Sequence, residues 1–288
     1  MGKIIDKNLG LVASLIRQNK KLKLSDVTGE QFTISQLSKF ETGKSDLTIS
    51  KFLIVLKNLN VHFDEFQNIY DNFTQSEEYS FRKDLVTAYA SRDIKKIKSI
   101  LKLWELQSLK NPKIKYYKIN ELVVKIILAL AQNSKVLEED LILIVEYLDD
   151  IQEWGRYELW IFANCLKFFD DNALRYYGPR ILSKANLLNS LYQNEQIFLR
   201  TILNIIDTWL YKRDLGQALK YINYLRGIDI KIEFFYEKII LRYHEAHYNV
   251  LLGKKDNINL MIDCADTLHK FGFSQEAKVL LEEIDLLR

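Results

Sequence analysis

The chain of 288 residues is poor in residues that interrupt helices, with two prolines, Pro112 and Pro179, and ten glycines. Because proline and glycine are the strongest breakers of helices, long stretches of this chain can stay helical. Cysteine is also scarce: Cys165 and Cys264 lie far apart, each within an apolar stretch. This arrangement predicts two buried free thiols in a reducing cytosol and argues against a fold held by disulfides.

No apolar run is long enough to cross a membrane. Such a span needs about 20 residues with few or no charges. The most apolar segment, residues 122–131, is short and contains Lys125, so we predict that it is a buried core helix. The N-terminus also lacks the apolar run of a signal peptide. The sequence therefore predicts a cytoplasmic protein without a membrane partner.

The chain has little excess of charge of either sign. Its 41 Lys and Arg residues against 38 Asp and Glu residues give a formal net charge of +3, too small to imply general affinity for nucleic acid. The excess is local, because the first 25 residues hold one acid, Asp6, and a basic stretch of six residues: Lys3, Lys7, Arg17, Lys20, Lys21 and Lys23. The basic stretch is typical of a phosphate-binding surface, and it is equally compatible with a solvated end that has no partner.

Apolar residues recur at helical spacing along the chain, so we predict an all-α protein. Five short helices fit into the first 66 residues, and a more polar stretch with little periodicity follows. All four tryptophans lie beyond residue 100. We predict a small domain over 1–66, a linker over 67–80 that runs into a helix from about Glu77 to Arg92, and a large helical domain over 81–288.

Several predicted helices of the second part begin in a similar way, with a charged residue followed by an aspartate. A further helix is predicted to begin near Ser274. The spacing is roughly forty residues where adjacent copies can be compared, which favours tetratricopeptide-like helical hairpins over a helical bundle without repeats. The charged pairs are Arg92–Asp93, Glu139–Asp140, Arg213–Asp214 and Lys255–Asp256.

The most informative segment is FTISQLSKFETGKSDLTISKFLIVLKNLNV, residues 32–61. Thr33 can cap a helix whose residues Leu37 and Phe40 face a small core, and Gly43 can end that helix in a left-handed conformation. This order of residue types is that of the turn, the recognition helix and the following helix of a lambda-repressor-type helix-turn-helix. The alternative is an ordinary small helical domain whose middle helix is capped.

The surface of the predicted recognition helix is largely polar, as contact with base edges requires. Ser and Gln can donate and accept hydrogen bonds, Lys can reach a guanine or a phosphate, and Ile34 can contact a thymine methyl group. Glu41 is predicted to be a structural acid that pairs within the fold. The predicted DNA-binding residues are Thr33, Ile34, Ser35, Gln36, Ser38 and Lys39.

The segment SQLSKFETGKSDLTISKFL, residues 35–53, resembles the signature of the Rgg/MutR-type regulators of low-GC Gram-positive bacteria. QEWGRYELWIFANCLKFFD, residues 152–170, is similar to the aromatic-rich helical pair of that family's C-terminal domain. The resemblance covers nearly the whole chain, strongly in the first 65 residues and loosely afterwards. It implies a homodimer that binds promoter DNA, and a tetratricopeptide-like domain whose concave face binds a short secreted peptide imported into the cell.

Peptide-binding residues do not transfer from the family, because they vary between members with different ligands. Asn164 and Asn204 lie in the middle of predicted helices, where asparagine has poor propensity, and one amide can both donate to and accept from a peptide backbone. Arg200 lies one turn before Asn204 and can share its face. We predict that these three residues bind the peptide; in the alternative, the amides tie neighbouring helices together.

The sequence contains no recognisable catalytic or metal-binding motif. His244 and His247 flank Glu245 and are three residues apart, whereas the zinc-protease helix needs its histidines four apart, and no third ligand is near. We expect a surface or half-buried helical pair there. No phosphate loop, nucleophile elbow or catalytically spaced Cys–His pair occurs. We therefore predict no enzymatic activity, no metal and no cofactor.

These features favour a quorum-sensing transcription regulator that binds double-stranded promoter DNA and is controlled by a short signalling peptide. Two other functions stay open. One is a helical-repeat regulator whose helix-turn-helix docks on a protein; the polar recognition surface argues against it, since a docking face exposes more apolar residues. The other is a DNA-binding regulator whose C-terminal domain only dimerises, and the length of that domain is a mild argument against it.

Overall fold

The computed structural model of the protein describes residues 8–71, 77–183 and 192–287. All regular secondary structure within these ranges is helical, which confirms the predicted all-α fold. Contacts between Cα atoms divide the chain into two units, Met1–Asp84 and Leu85–Arg288. Each unit has its own buried apolar core.

Residues 8–71, the first described range, form five short helices of the first unit. Their N-termini are well capped in three cases: the side chains of Asn8, Thr33 and Thr48 accept hydrogen bonds from first-turn N–H groups of α1, α3 and α4. The predicted cap at Thr33 is confirmed, and Gly43, two residues beyond α3, adopts the predicted left-handed conformation with a φ of 69°. The helices are α1 (Leu9–Asn19), α2 (Leu24–Thr28), α3 (Ile34–Glu41), α4 (Ile49–Leu59) and α5 (Phe63–Tyr70).

The core of the first unit is rich in phenylalanine. Leu37 and Phe40 of α3 are buried, as predicted. Phe52 on α4 makes edge-to-face ring contacts, with centroid distances of 6.2 Å to Phe40 and 5.0 Å to Phe66. Such pairs add about 0.5–1.5 kcal/mol beyond the burial of their area, so the aromatic contacts join α3, α4 and α5 at one point.

Helix α1 buries a narrower face than its spacing of apolar residues predicts. Val12 and Ile16 are buried, but Leu9 and Leu15 are 43% and 38% exposed, so two of these four apolar residues at helical spacing do not face the core. Leu9 is the first residue of the helix, and Leu15 points about 100° away from Ile16 around the helix axis.

The predicted linker contains helical residues at both of its ends. Helix α5 continues to Tyr70, and α6 (Glu77–Ala90) begins at the predicted residue and ends two residues before Arg92. Residues 72–76 of that linker lie outside the described residues. The division between the units falls inside α6, after Asp84.

Among the described residues of the second unit, ten further helices follow α6. Consecutive helices pack on one another from α7 to α9 and from α12 to α16, and α8, α10, α12 and α14 also pack on one another in succession. Alternate helices therefore form one continuous layer, which is the arrangement of tetratricopeptide-like hairpins. The helices are α7 (Ile94–Lys110), α8 (Lys115–Ala131), α9 (Glu138–Asp150), α10 (Arg156–Cys165), α11 (Asp171–Ser183), α12 (Tyr192–Tyr211), α13 (Leu215–Arg226), α14 (Phe235–Leu251), α15 (Asn257–Lys270) and α16 (Ser274–Leu287), with a 3-10 turn at Leu166–Phe168.

Two of the similar helix starts are structurally equivalent. Arg92 and Arg213 adopt left-handed conformations with φ of 53° and 62°. The aspartate after each caps the next helix: Asp93 accepts from the backbone N–H of Lys96 at 2.9 Å, and Asp214 from that of Gln217 at 3.0 Å. The other two pairs differ, since Asp140 lies within the first turn of α9 and Asp256 precedes α15 without a side-chain cap.

The apolar segment 122–131 lies in α8 and is largely buried, as predicted. Lys125 is the charged residue within it. Its Nζ lies 3.0 Å from Glu121 Oε1 and 4.0 Å from Asp140 Oδ1, so its charge is neutralised by ion pairs. Cys165 and Cys264 are buried free thiols, which confirms their predicted state. No helix in the described ranges combines the length and the apolarity that crossing a membrane requires.

Candidate nucleic-acid interface and ligand cavity

The N-terminus of α3 is fixed by a reciprocal pair of hydrogen bonds. The Thr33 hydroxyl accepts from the backbone N–H of Gln36 at 3.3 Å, and Gln36 Oε1 accepts from the backbone N–H of Thr33 at 3.4 Å. Lys51 on α4 donates from Nζ to the same Oε1 at 3.2 Å. Because both partners of Oε1 can only donate, the amide oxygen of Gln36 faces the protein and the NH2 group remains to donate elsewhere.

The predicted DNA-binding residues occupy the open side of α3. Ile34 is 50% exposed although it is apolar, and Ser38 is half-buried. The inward residues Leu37 and Phe40 hold the opposite side in the core. The helix thus presents polar groups and one apolar side chain, a combination suited to the edges of base pairs in the major groove. The remaining members, all exposed, are Thr33, Ser35, Gln36 and Lys39.

The rotation of α3 is set by an ion pair with α1. Arg17 donates from Nε to Glu41 Oε1 and from Nη2 to Glu41 Oε2, each at 2.7 Å, and its Nη1 donates to the carbonyl of Leu22 at 2.8 Å. Only 13% of the Arg17 side chain and 6% of the Glu41 side chain are exposed. The hydrogen bond to Glu41 raises the pKa of Arg17. The predicted structural role of Glu41 is therefore confirmed.

A close approach of backbones brings α1 against the end of α3. A Cβ atom on Gly10 would lie 1.7 Å from the carbonyl oxygen of Phe40, and one on Gly43 would lie 2.7 Å from Nδ2 of Asn8. Any larger residue at position 10 would push the two helices apart. Sequence reasoning did not identify Gly10, because a single glycine inside a helical pattern indicates no partner.

Some residues of the basic stretch have partners within the fold, and others are exposed. Arg17 is held by Glu41, and Lys20 Nζ donates to the carbonyls of Leu59 and Asn60 at the end of α4, at 2.8 and 2.9 Å. These two residues satisfy acceptors that the fold would otherwise leave open, which is a structural role that the sequence did not indicate, and phosphate contact by the basic stretch stays a prediction. Lys21 and Lys23 are exposed. The other members of the stretch, Lys3 and Lys7, and the acid Asp6 lie outside the described residues.

The second unit contains a cavity of about 340 Å³ between α6, α8, α10, α12 and α16. Such a volume is at the lower end of the range of about 300–1,000 Å³ that is usual for small-molecule sites. Two aromatic side chains, Tyr89 and Trp160, line it. Its apolar walls are formed by Leu85, Val86, Ile127, Leu130, Ala163, Leu166 and Val279.

Two of the three predicted peptide-binding residues lie together in this cavity. Asn164 on α10 and Asn204 on α12 both line it. Asn164 donates from Nδ2 to the carbonyl of Trp160 at 2.7 Å, which leaves its oxygen as an acceptor. Asn204 is exposed, and within the described residues its side-chain amide makes no hydrogen bond. Three further polar residues line the cavity that sequence reasoning missed: Asp207, Thr208 and Lys167.

Arg200 is not among the residues that line the cavity. Its Nε donates to Glu237 Oε1 on α14 at 2.6 Å, and its guanidinium carbon lies 5.3 Å from the centroid of the Tyr236 ring. Glu237 is 1% exposed. The pair joins α12 to α14, which is the tying role that the sequence offered as an alternative for the amides. A contact of Arg200 with peptide stays a prediction.

The histidine pair on α14 is more buried than predicted. His244 and His247 are 5% and 4% exposed, whereas a surface or half-buried pair was expected. Nδ1 of His247 lies 3.3 Å from Glu283 Oε1, close enough for an ion pair but not aligned for a hydrogen bond. Among the residues that the structure describes, no cluster of three or more His, Cys, Asp or Glu side chains is arranged to hold a metal ion. These histidines are therefore core residues of the helical layer.

The fold is shared with several solved structures. The SHP pheromone receptor Rgg2 of Streptococcus dysgalactiae is 20% identical over 96% of this chain and 99% of that one, with a TM-score of 0.73. A Listeria monocytogenes EGD-e protein described as a transcriptional regulator is 19% identical over 97% and 96%, with a TM-score of 0.81. The complex of PrgX with cCF10 is 18% identical over 98% and 92%, with a TM-score of 0.73.

At these identities the structural likeness establishes the fold alone. Membership of a family is established by sequence, since residues 101–280 match the C-terminal domain of the HTH-type transcriptional regulator Rgg. The match covers more than half of the chain and contains most of the helical layer around the cavity. The protein therefore belongs to the Rgg family of helix-turn-helix transcriptional regulators.

Proposed function

We propose that the protein is a cytoplasmic homodimer that binds double-stranded promoter DNA through α3. The observation that carries this proposal is the open polar side of α3, held in place by the Arg17–Glu41 pair and by the capped N-terminus at Thr33. In a symmetric dimer, two such helices contact half-sites about one turn of DNA, or 34–36 Å, apart.

Different residues of α3 make different contacts with DNA. Ser35 and Gln36 lie in the first turn, where side chains reach base edges. Ile34 contacts a thymine methyl group, and Lys39 in the last turn contacts a guanine or a phosphate. Thr33 acts mainly by position, because its hydroxyl accepts from the backbone of Gln36 and so orients the first turn.

Selection of bound duplexes from a random DNA pool tests this proposal without a known operator. The full chain is expected to enrich a two-fold related sequence whose half-site centres lie about 10 base pairs, or a multiple, apart. Lys39→Ala should lose or relax the enriched sequence, whereas Lys57→Ala, an exposed lysine in the last turn of α4, should keep it. Failure to enrich any sequence over successive rounds would contradict the proposal and would favour docking of the first unit on a protein.

We further propose that a short signalling peptide regulates this binding from the second unit, as in quorum sensing. Rgg2 of Streptococcus dysgalactiae is a pheromone receptor, and PrgX forms complexes with cCF10 and iCF10. In this chain, support comes from the cavity, which Asn164 and Asn204 both line together with apolar side chains. A side-chain amide can donate to a backbone carbonyl and accept from a backbone N–H of an extended peptide, as a neighbouring β-strand does.

A peptide can change promoter activity only if it binds two conformations of the dimer unequally. A library of short synthetic peptides would be added to the protein with its selected duplex. At least one should shift the DNA affinity by about 5–150-fold, and Asn204→Ala should reduce that shift, whereas Asn259→Ala, exposed on α15, should not. If specific DNA binding persists but no peptide shifts it, the second unit serves dimerisation alone.

A further inference from the structure

The cavity of the second unit contains an unpaired acid. Asp207 lies on α12, one turn after Asn204, and its side chain is half-buried against apolar walls. Within the described ranges, no Lys, Arg or His nitrogen lies within 4.0 Å of its carboxylate, and it accepts no hydrogen bond. A half-buried carboxylate without a partner at the edge of an apolar space can accept a cation or an N–H donor from a ligand that enters that space.

The ionisable groups close to Asp207 on α14 and α16 do not neutralise its negative charge. His244 and His247 are close to it, but burial lowers the pKa of both, that of His247 to about 4, so both are neutral at neutral pH. Glu283 on α16 is a second acid nearby: burial and then the charge of Asp207 raise its pKa. Two carboxylates and two neutral imidazoles therefore share this part of the unit, and the imidazoles supply no positive charge to Asp207.

The two cationic side chains nearest to this site, Lys167 and Arg213, do not pair with Asp207 in the described ranges. Lys167 lines the cavity but is exposed, and its charge acts on Glu283, where it partly opposes the rise in pKa. Arg213 is exposed two residues beyond the end of α12, and its charge helps to lower the pKa of His247, after burial and the charge of His244. Neither forms an ion pair with Asp207 in the described part of the chain.

We propose that the cavity binds the primary ammonium group of an apolar ligand, with Asp207 as its counter-ion and the amide oxygen of Asn204 as a second acceptor. The ammonium is a peptide amino terminus or a lysine side chain, and the walls hold the hydrocarbon part of the ligand. The cavity of about 340 Å³ takes one or two residues of a peptide and leaves the rest outside. This inference rests on the proposed ligand-binding role of the second unit.

Three dipeptide probes test the inference by ligand-observed NMR titration of the full chain at about pH 6.5, where a peptide amino group is mostly protonated. Leucyl-leucinamide should bind about tenfold more tightly than N-acetyl-leucyl-leucinamide, which lacks the charge. N-acetyl-leucyl-lysinamide carries only the side-chain ammonium. Tight binding of that probe assigns the site to lysine, and weak binding assigns it to the amino terminus.

Variants separate the role of Asp207 from a general effect of charge. Asp207→Asn should remove the preference for the ammonium probes, whereas Glu146→Gln, which removes an exposed acid on α9 outside the cavity, should keep it. Lys167→Met should strengthen ammonium binding about two- to fivefold, because it removes a like charge from the cavity, and it provides a second test if Asp207→Asn unfolds the chain.

Equal binding of the charged and acetylated probes to the wild type would overturn the inference, as would a preference that survives in Asp207→Asn or the failure of both ammonium probes to bind. DNA is absent from the titration, so its result is independent of the regulatory proposal. A signalling peptide that shifts DNA affinity while these probes show no charge preference would leave the proposed function standing and remove Asp207 as the counter-ion.

Discussion

Arg17 on α1 and Glu41 in the last turn of α3 face each other as two planar groups joined by parallel hydrogen bonds of 2.7 Å. This bidentate geometry fixes orientation as well as distance, because a guanidinium and a carboxylate match only when their planes align. The third donor of Arg17 reaches the carbonyl of Leu22, before α2. One arginine therefore sets how α3 lies relative to the two helices that precede it.

Breaking the Arg17–Glu41 pair should lower the stability of the first unit. Glu41→Ala leaves the buried Arg17 guanidinium without its partner, and we expect a loss of about 3–5 kcal/mol in the free energy of unfolding. Replacing both residues with apolar ones, as in Arg17→Met with Glu41→Leu, should restore most of the loss. Urea unfolding followed by circular dichroism measures both. A single variant as stable as the wild type would show that the pair does not hold α3.

The course of α3 could be predicted from sequence because its signals are local. Thr33, Leu37, Phe40 and Gly43 all lie within about three turns of one another, and each has a preference that does not depend on the rest of the fold. The partner of Glu41 could not be predicted in the same way. Arg17 lies 24 residues earlier, in a basic stretch whose composition suggested phosphate contact, and only the packing of α1 on α3 gives it another role.

The amide of Gln36 should read a base that offers acceptors. Its oxygen already accepts from Thr33 N–H and Lys51 Nζ, so its NH2 group alone is available to DNA. Guanine presents two acceptors in the major groove, whereas bidentate recognition of adenine needs the amide oxygen as well. We expect guanine at the contacted position of the selected duplexes.

Lys51→Met should then shift that preference toward adenine, by about 1–3 kcal/mol, since it frees the amide oxygen. Lys44→Met is the matched control, because it also removes a lysine of the first unit but makes no contact with Gln36 in the described structure. Repeating the selection with both variants gives the comparison. An unchanged base preference in Lys51→Met would mean that this hydrogen bond does not govern specificity.

The buried histidines should make the second unit less stable in mild acid. The folded-state pKa of His247 lies at about 4, below its ordinary value of 6.5, because burial disfavours the charged form. Between these two values the unfolded chain binds a proton that the folded chain does not, so stability falls as the pH drops from 6.5 toward 4. His247 alone should cost roughly 1 kcal/mol between pH 7.5 and pH 5.5.

His244 acts in the same direction, since burial also lowers its pKa. Glu283 acts in the opposite direction: its raised pKa gives a contribution to stability that is present below its ordinary value of 4.5 and is lost as the pH rises through the folded value. Thermal unfolding of His247→Gln at pH 7.5 and 5.5 separates these effects. The variant should lose less stability on acidification than the wild type, and His269→Gln, an exposed histidine on α15, should match the wild type.

Arg200 should matter more for the fold than for ligand binding. Its pair with Glu237, which is 1% exposed, joins α12 to α14. Arg200→Ala leaves a buried carboxylate, which Gln196 still contacts through Nε2 at 3.2 Å. Because half of the arginine is exposed, we expect a loss of about 1–3 kcal/mol in unfolding free energy. Ammonium-probe affinity should stay within twofold of the wild type. A large loss of probe binding without loss of stability would contradict this prediction and would show that Arg200 contacts the ligand.

The cavity could be predicted only in part. Asn164 and Asn204 stood out because asparagine in the middle of a helix needs a reason. Asp207 did not, since a carboxylate in a charged helical sequence has no distinguishing local pattern. Which side of α12 faces the cavity depends on the packing of α8, α10 and α14 around it, and that arrangement is long-range. Arg200 is a full turn from Asn204, yet its length carries its charge to α14.

The central claim is that α3 reads DNA sequence, and fluorescence anisotropy tests it most directly. Labelled DNA from upstream of the protein's own gene and a scrambled duplex would be titrated with wild type, Lys39→Ala and Lys57→Ala at two salt concentrations. We expect the wild type and Lys57→Ala to bind the natural duplex about 4–10 kcal/mol more tightly than the scrambled one, and Lys39→Ala to lose much of that difference. Equal, weak and salt-sensitive binding of both duplexes by the wild type would contradict the claim, because it would show a basic surface without sequence recognition.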